Sequence, residues 1–462
     1  MPLFGQLFSR PLVKQLLAEV EPRKKLYWRT LTPLVTMWGM VYQRLNDDQS
    51  CDAYVSYVLD GGVDQLDGAD RHVEPVSERL LSESTAAYSQ GRQRLPVGLL
   101  QKGWQLVAKE AQAMAGEKGQ WQGLVVRLLD GTTFTLPSRG DIPTEYAAAS
   151  NQQGASYWLS ARALIACDYF TQAVVALEER TYNSAETEMV PALLAQEEEG
   201  GALYVGDRNY GIYRVVQALQ GSGQHGLLRL LASRARALLK RQTDKRPLQS
   251  GESRQVVWTP TRHDQPFAQW PAEPLLGRLI YLRIEEDGYR PTELYLFTTL
   301  LDEERYPTAF LCALYRQRWN VEVRFRHLKT SLELDFFDVR SAAMFRKELS
   351  AGILAYNLVA ILILQAAIGA QLHPAQLSFK RCLRRILGLF QVGVPCWVDE
   401  KTTVAEWLLT RLARCRLPNQ PSKVQHEPRK VRRKPRPYPP LKGSRQAARD
   451  AHLKNLKSDD NS

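Results

Sequence analysis

The spacing of apolar residues changes period at Trp121, and that change constrains the fold more than any other feature of the chain. Before it, apolar residues recur at helical spacing in Pro11 to Val20 and Tyr27 to Leu45, and no strand-like alternation of any length occurs up to about residue 118. This predicts a helical N-terminal domain over 1–118. From Trp121 onward, GLVVRLLD is a buried-strand run ending at Asp130, where DG is expected to open a turn. YWLSARALIAC and QAVVALEE are two further strands, expected to pair with the first as a meander. A helix should then cover roughly Glu188 to Glu198, entered through Asn183 and Ser184, with Pro191 tolerable only near its first turn. ALYVGD is a fourth strand ending at Asp207. The order strand, strand, strand, helix, strand puts the chain in the mixed α/β class.

Between 214 and 300 a basic helical stretch, RLLASRARALLKR, precedes three strand runs, RQVVWTP, GRLIYLRIE and ELYLFTT. This reads as a β-rich insertion that divides a core of 119–213 from its last helix at 301–335. Tyr306 to Leu332 is one continuous helical pattern, and helices are expected to continue through 336–415. No internal repeat is visible. Ala351 to Leu372 is apolar enough to span a bilayer, but Asn357 and Gln365 within it, and Arg346, Lys347 and Glu348 before it, favour a buried helix with no membrane role.

Composition narrows the function. A chain of 462 residues with 44% hydrophobic and 24% charged residues can bury a large core plus satellite domains. Its six cysteines are scattered with no close pair, which suits neither a disulfide framework nor a zinc ribbon and points to a reducing cytoplasm. The first residues lack the features of a secretory signal. The net charge is +12, yet RKVRRKPRPYPPLKGSR at 429–445 holds eight Lys or Arg and no acid, so removing it leaves +4. The basic tail, 416–462, should be disordered and free to neutralise phosphates, or else simply solubilising. No phosphate-binding or dinucleotide-binding glycine loop is present.

The chemistry-bearing residues lie in LYRQRWNVEVRFRHLK and at the two strand ends. Tyr315, Arg318, Glu322 and Lys329 fall at i, i+3, i+7 and i+14, which on a regular helix confines them to a sector of roughly 60°. Trp319 and Arg326 lie close to that sector. Ordinary exposed ion pairs of Glu322 with Arg318 and Arg326, worth a few tenths of a kcal/mol, are the alternative. Asp130 and Asp207 could likewise be turn formers or helix caps. Their order, however, with Asp ending a first strand, Asp ending a fourth and Glu on a late helix, is the layout of a ribonuclease-H-like fold. Three converging carboxylates would repel without a cation between them, and hard oxygen donors suit Mg²⁺, with Mn²⁺ as a substitute.

The run Tyr315, Arg318, Glu322, Lys329 matches the Y-x2-R-x3-E-x6-K signature of the DDE transposases of insertion sequence family four, and DGTTFTLPS around Asp130 resembles their first strand. The resemblance covers about 120 to 335, including the inserted β-rich region. One departure is GDRNYGIY, where Asn209 stands in place of a frequent Gly two residues after the second Asp. Asn tolerates a left-handed backbone, so the turn should survive.

The resemblance implies that Asp130, Asp207 and Glu322 are catalytic and hold two metal ions about 3.5 to 4 Å apart, with Asp130 bridging them. Tyr315, Arg318 and Lys329 would hold phosphates of double-stranded DNA, and Trp319 would either stack on an unpaired base or pack in the core. It further implies a homodimer on two transposon ends, with the 340–415 helices as candidate contact, in the nucleoid-associated cytoplasm of a bacterium. Pro22 to Lys25 and Arg29 are candidate phosphate contacts, and Tyr295 and Trp270 candidates to hold a flipped base. A nuclease without strand transfer and an inactive domesticated DNA-binding protein are the competing readings.

Overall fold

The computed structural model describes residues 2–23, 26, 28–66, 74–151, 154–261, 273–284, 292–392 and 403–417, with scattered positions from 444 to 450. Lys24, Lys25, Trp270 and nearly all of the basic tail lie outside the described residues, as do the side chains of 319–322, including Trp319 and Glu322.

Helices α1 (Pro2–Leu7), α2 (Arg10–Val20), α3 (Pro33–Leu45), α4 (Cys51–Leu59), α5 (Val76–Arg79), α6 (Ala86–Arg94) and α7 (Val97–Ala115) precede the first strand. Local chemistry sets their starts: the side chains of Ser9, Thr32 and Ser50 accept hydrogen bonds from the N–H of the third residue of α2, α3 and α4, and Pro33 opens α3 where no N–H is needed.

A short β1 (Gln120–Trp121) leads into β2 (Leu124–Leu136), followed by α8 (Ile142–Glu145), β3 (Ala148–Asn151), β4 (Gly154–Asp168) and β5 (Val174–Thr181). β4 pairs antiparallel with β2 on one side and with β3 and β5 on the other, which is the expected meander. Asp130, by contrast, does not end its strand. β2 runs on to Leu136 because β4 pairs it without a break from Arg127↔Asp168 to Leu136↔Leu159, so the DG pair lies within a strand rather than in a turn. Next come α9 (Glu186–Leu194) and β6 (Leu203–Gly206), which pairs parallel with β2. α9 starts two residues before the expected span, and Pro191 sits in its second turn.

The region read as an insertion begins with core structure. α10 (Tyr213–Gly221) and β7 (His225–Leu230) follow β6, and β7 pairs parallel with it as a fifth strand. Arg229 and Leu230, expected at the head of a helix, therefore lie in a strand, and α11 (Ala232–Lys240) starts after them. β8 (Ser253–Trp258), β9 (Leu275–Ile284) and β10 (Thr292–Thr298) then extend the same sheet, β10 pairing with the open edge of β7. Covering that edge removes a row of unpaired backbone groups. The core order β5-β4-β2-β6-β7, with three antiparallel strands followed by two parallel ones, is ribonuclease-H-like.

After the sheet come α12 (Thr308–Arg316), a 3₁₀ turn (Gln317–Trp319), α13 (Asn320–Arg326) and a π turn (His327–Ser331). The continuous helical pattern of the sequence thus changes pitch three times, which re-phases its faces. The chain closes with α14 (Ala342–Gly369), α15 (Phe379–Val392) and α16 (Val404–Ala413). By length and composition α14 could cross a membrane, but 83% of its apolar stretch is buried inside the fold, against α3, α7, α15 and α16. One face of the sheet shares a continuous core with the N-terminal helices and α14. α9, α10 and α11 cover the other. Layers of helix, sheet and helix result.

Candidate active site

Strand register brings the two aspartates together. β2 and β6 run parallel with Val126↔Leu203 and Leu128↔Val205, and carrying that register two residues onward sets Asp130 level with Asp207. Neighbouring strands lie about 4.8 Å apart, and residues two apart share a face. Asp130 therefore projects on the face of Val126 and Leu128, and Asp207, in the turn just past the end of β6, lies close enough for its charge to act on Asp130.

Each carboxylate is held locally. Asp130 Oδ1 accepts the Gly131 N–H at 2.9 Å. Asp207 Oδ1 accepts the Asn209 N–H at 2.8 Å, closing a tight turn directly after β6. Asn209 is not among the residues with positive φ, so the turn does not need the left-handed backbone expected of it. Gly211 is needed for a different reason: a Cβ there would stand 2.0 Å from the Arg229 carbonyl oxygen of β7. Arg234 Nη1 donates to the Gly211 carbonyl at 2.7 Å, fixing the end of the turn.

From the helical side, Arg318 reaches Asp130, Nη1 to Oδ2 at 3.4 Å, with its side chain only 7% exposed. Tyr315 is buried nearby, and burial pushes its hydroxyl up to about 12, while Arg318 and Arg229 pull it down and Asp207 adds to the rise. Burial likewise pushes the Asp130 carboxyl up to about 6; the Gly131 N–H and Arg318 oppose this, and the charges of Asp207 and Glu186 reinforce it. Asp130, Asp207, Tyr315 and Arg318 thus form one electrostatic unit. Arg318, expected to hold phosphate, here lies against a carboxylate.

Lys329 does not join that unit. Its ammonium lies 3.5 Å from Asp335 and over the ring of Phe134, four residues and so about 13 Å along β2 from Asp130. There it lines a cavity of about 640 Å³ between the N-terminal helices and the segment leading to α14. Glu322 is in the first turn of α13, which packs against β2. Arg324 pins that helix: its guanidinium donates to the carbonyls of Asp168 and Tyr169 at 2.7 and 2.8 Å. Tyr295 is buried against Tyr281 in the core of the opposite face. Pro22, Arg23 and Arg29 are exposed and Arg326 faces solvent.

Glu186 is the residue sequence reasoning passes over. As an acid in the first turn of α9 it reads as an ordinary complement to the helix dipole. In the fold its Oε2 accepts the Tyr210 hydroxyl at 2.9 Å and the Asn209 side-chain amide at 3.0 Å, and its carboxyl lies over Gly131.

The family model for the transposase DDE domain matches residues 121–358. This chain belongs to the transposase DDE domain family. The matched span runs from β1 into α14, so it holds Asp130, Asp207 and the helical run carrying Tyr315, Arg318, Glu322 and Lys329. The chain is similar to the transposase InsG for insertion sequence element IS4 of Escherichia coli (strain K12), 22% identical over 325 residues that make up 68% of this chain and 70% of that protein. A cryo-EM structure of piggyBac transposase in a synaptic complex with hairpin DNA is similar at a TM-score of 0.42 and 13% identity, over 91% of this chain and 86% of that one.

Among the described residues, no three His, Cys, Asp or Glu side chains close up around a metal position. The donor chemistry of this DDE domain nevertheless fits a divalent cation. Asp130 in β2 and Asp207 just past the end of the neighbouring β6 are hard oxygen donors, and burial together with neighbouring negative charge penalises ionisation of Asp130, a penalty that a cation relieves.

Proposed function

We propose that this protein is a DNA transposase that cuts the ends of an insertion sequence and joins the exposed 3′-hydroxyls to target DNA. The observation that carries the reading is the juxtaposition of Asp130 in β2 and Asp207 just past the end of the neighbouring β6, with Arg318 against Asp130, in a chain of the transposase DDE family. Asp130, Asp207 and Glu322 would hold two Mg²⁺ ions, or Mn²⁺, which when bound supply charge neutralisation and Lewis-acid activation for attack at phosphorus.

The remaining work falls to the chain itself. The Gly131 N–H and Arg318 orient the Asp130 carboxylate, while the Asn209 N–H orients Asp207. Arg318, a rigid fork of five donors, would contact a phosphate oxygen, and Tyr315 beside it presents a protonated hydroxyl at neutral pH. Lys329, farther along β2, suits a phosphate distant from the cut. In the reaction, water attacks the end phosphodiester and releases a 3′-hydroxyl, which then attacks a target phosphodiester and displaces its 3′-oxygen. The protein would act as a homodimer on double-stranded DNA in the bacterial cytoplasm, with no membrane partner.

Incubating the chain with labelled end DNA, a target plasmid and Mg²⁺ tests the reading. Joined products are expected, and Asp130→Ala, Asp207→Ala and Glu322→Ala should each abolish cutting and joining while end binding in gel shifts persists. Cut ends without joined products would establish a nuclease instead. Wild-type cleavage by all three variants would sink the catalytic assignment.

A further inference from the structure

We infer that Glu186 is a positioning residue of this site, clamping the turn that carries Asp207 against the strand that carries Asp130. The inference rests on the transposase reading and names a residue that the three-carboxylate pattern leaves out.

Three contacts converge on one carboxyl group. Tyr210 and Asn209, both in the turn directly after Asp207, donate to the same oxygen of Glu186 at 2.9 and 3.0 Å. Tyr210 is wholly buried, so its hydroxyl approaches from a fixed ring. On its other side the carboxyl lies over Gly131: a Cβ at that position would meet Glu186 Cδ at 2.2 Å, a separation that no side chain tolerates. The glycine after Asp130, which sequence reads as a turn former, is therefore space for a carboxylate inside a continuous strand.

The mechanical consequence follows from connectivity. Asp207 is tied to Asn209 through the Asn209 N–H, so whatever fixes Asn209 fixes the Asp207 carboxylate. β6 ends at Gly206, and past that point no strand pairing among the described residues holds Asp207. Glu186 supplies the missing restraint, anchored in α9, which packs against β4 and β5. Asn209, where the related transposases often have Gly, is what gives the clamp its second donor. Side chains that orient a ligating carboxylate are worth about tenfold to 100-fold in metal affinity or activity.

The test uses the full-length chain carrying Glu186→Ala, Glu186→Gln, or Asn209→Ala together with Tyr210→Phe. Hydrogen exchange of a peptide spanning 207–212 reads the turn directly, Mn²⁺ binding by calorimetry reads the carboxylates without turnover, and end cleavage in Mg²⁺ separates kcat from KM. In Glu186→Ala, exchange in that peptide should accelerate about tenfold. Mn²⁺ binding and kcat should each fall about tenfold to 100-fold, with KM for end DNA unchanged. The Asn209/Tyr210 pair should reproduce this loss, and Glu186→Gln, which keeps an acceptor oxygen for both donors, should recover most of it. Wild-type exchange and Mn²⁺ binding in Glu186→Ala overturns the inference. So does a Glu186→Gln variant as impaired as Glu186→Ala, because the role then belongs to the charge and not to the clamp. Asp207→Ala serves as reference: if it too binds Mn²⁺ and cleaves normally, the metal-site reading has failed, and the exchange measurement still decides the clamp.

Discussion

Asn357, in the middle of the apolar helix α14, offers the sharpest test of how the fold is held together. It is fully buried, its amide nitrogen donates to the carbonyls of Val174 at 2.9 Å and Trp104 at 3.0 Å, and its Oδ1 accepts the Val174 N–H at 2.8 Å. β5 pairs with β4 along one side, and on the other Asn357 pairs with Val174 as the peptide of a further strand would. Gln196 treats Leu177 the same way, accepting its N–H at 3.1 Å and donating to its carbonyl at 2.9 Å. Asn357→Leu preserves volume but strips the N–H and C=O of Val174 of this partner. At roughly 1–3 kcal/mol for each orphaned buried group, the two cost roughly 2–6 kcal/mol. The apolar gain of a buried Leu offsets about 1–2 kcal/mol, leaving a loss of about 3 kcal/mol. At about 2–4 °C per kcal/mol in large domains, the thermal midpoint should fall by about 6–12 °C. Urea unfolding followed by circular dichroism, with a parallel calorimetric scan, measures both. A loss below about 1 kcal/mol, or a gain, would refute the idea that this side chain closes the sheet edge, because an apolar helix in an apolar core should otherwise welcome Leu.

Four further outcomes follow from the site. The Asp130 carboxyl, held at about 6 against an ordinary 3.8, binds its proton more tightly folded than unfolded, so its charge penalises the fold above pH 6 and the penalty fades as pH falls towards 4. In metal-free buffer Asp130→Asn should therefore gain roughly 1–2 kcal/mol at pH 7.5, after allowance for partial exposure, and nothing near pH 4; an equal gain at both would contradict the assignment. Mg²⁺ should raise the midpoint of the wild type but not of this variant. Lys329→Ala should weaken end binding and lower the salt dependence of the binding constant by about one in slope, with Mn²⁺ binding intact, and an unchanged slope argues against a phosphate contact. Arg324→Met should cost roughly 1–3 kcal/mol by orphaning the Tyr169 carbonyl, since the Asp168 carbonyl keeps the Gln172 N–H, and should slow cleavage by loosening the helix that bears Glu322; wild-type cleavage in a measurably destabilised variant would show that α13 keeps its place without Arg324.

Much of this architecture is written in local pattern. The runs around β2, β4, β5, β6, β8, β9 and β10 are legible because a strand buried on one or both faces must show continuous or alternating apolar residues wherever it pairs. The long apolar helix is legible as a core element for a similar reason, since Asn357 inside it must find buried partners. What misleads is local chemistry that another element overrides. Asp-Gly signals a turn, but pairing with β4 carries the strand through it. HGLLRL merges with the basic helix that follows, and pairing with β6 and β10 makes it a strand. The Tyr306 to Leu332 pattern shows one period, while the 3₁₀ and π turns within it leave Arg318 against Asp130 and Lys329 over Phe134.

The amino-acid sequence by itself determined which residue types the site has to work with and the order of elements that bear them, because side-chain chemistry and apolar period are properties of short stretches. Tertiary structure alone decided which of those groups meet. Asp130 and Asp207 are brought together by the pairing of two strands far apart in the chain, and Glu186 reaches the turn after Asp207 because Gly131 leaves room. Proximity of this kind arises from pairing and packing between distant segments, and no local window of sequence contains it.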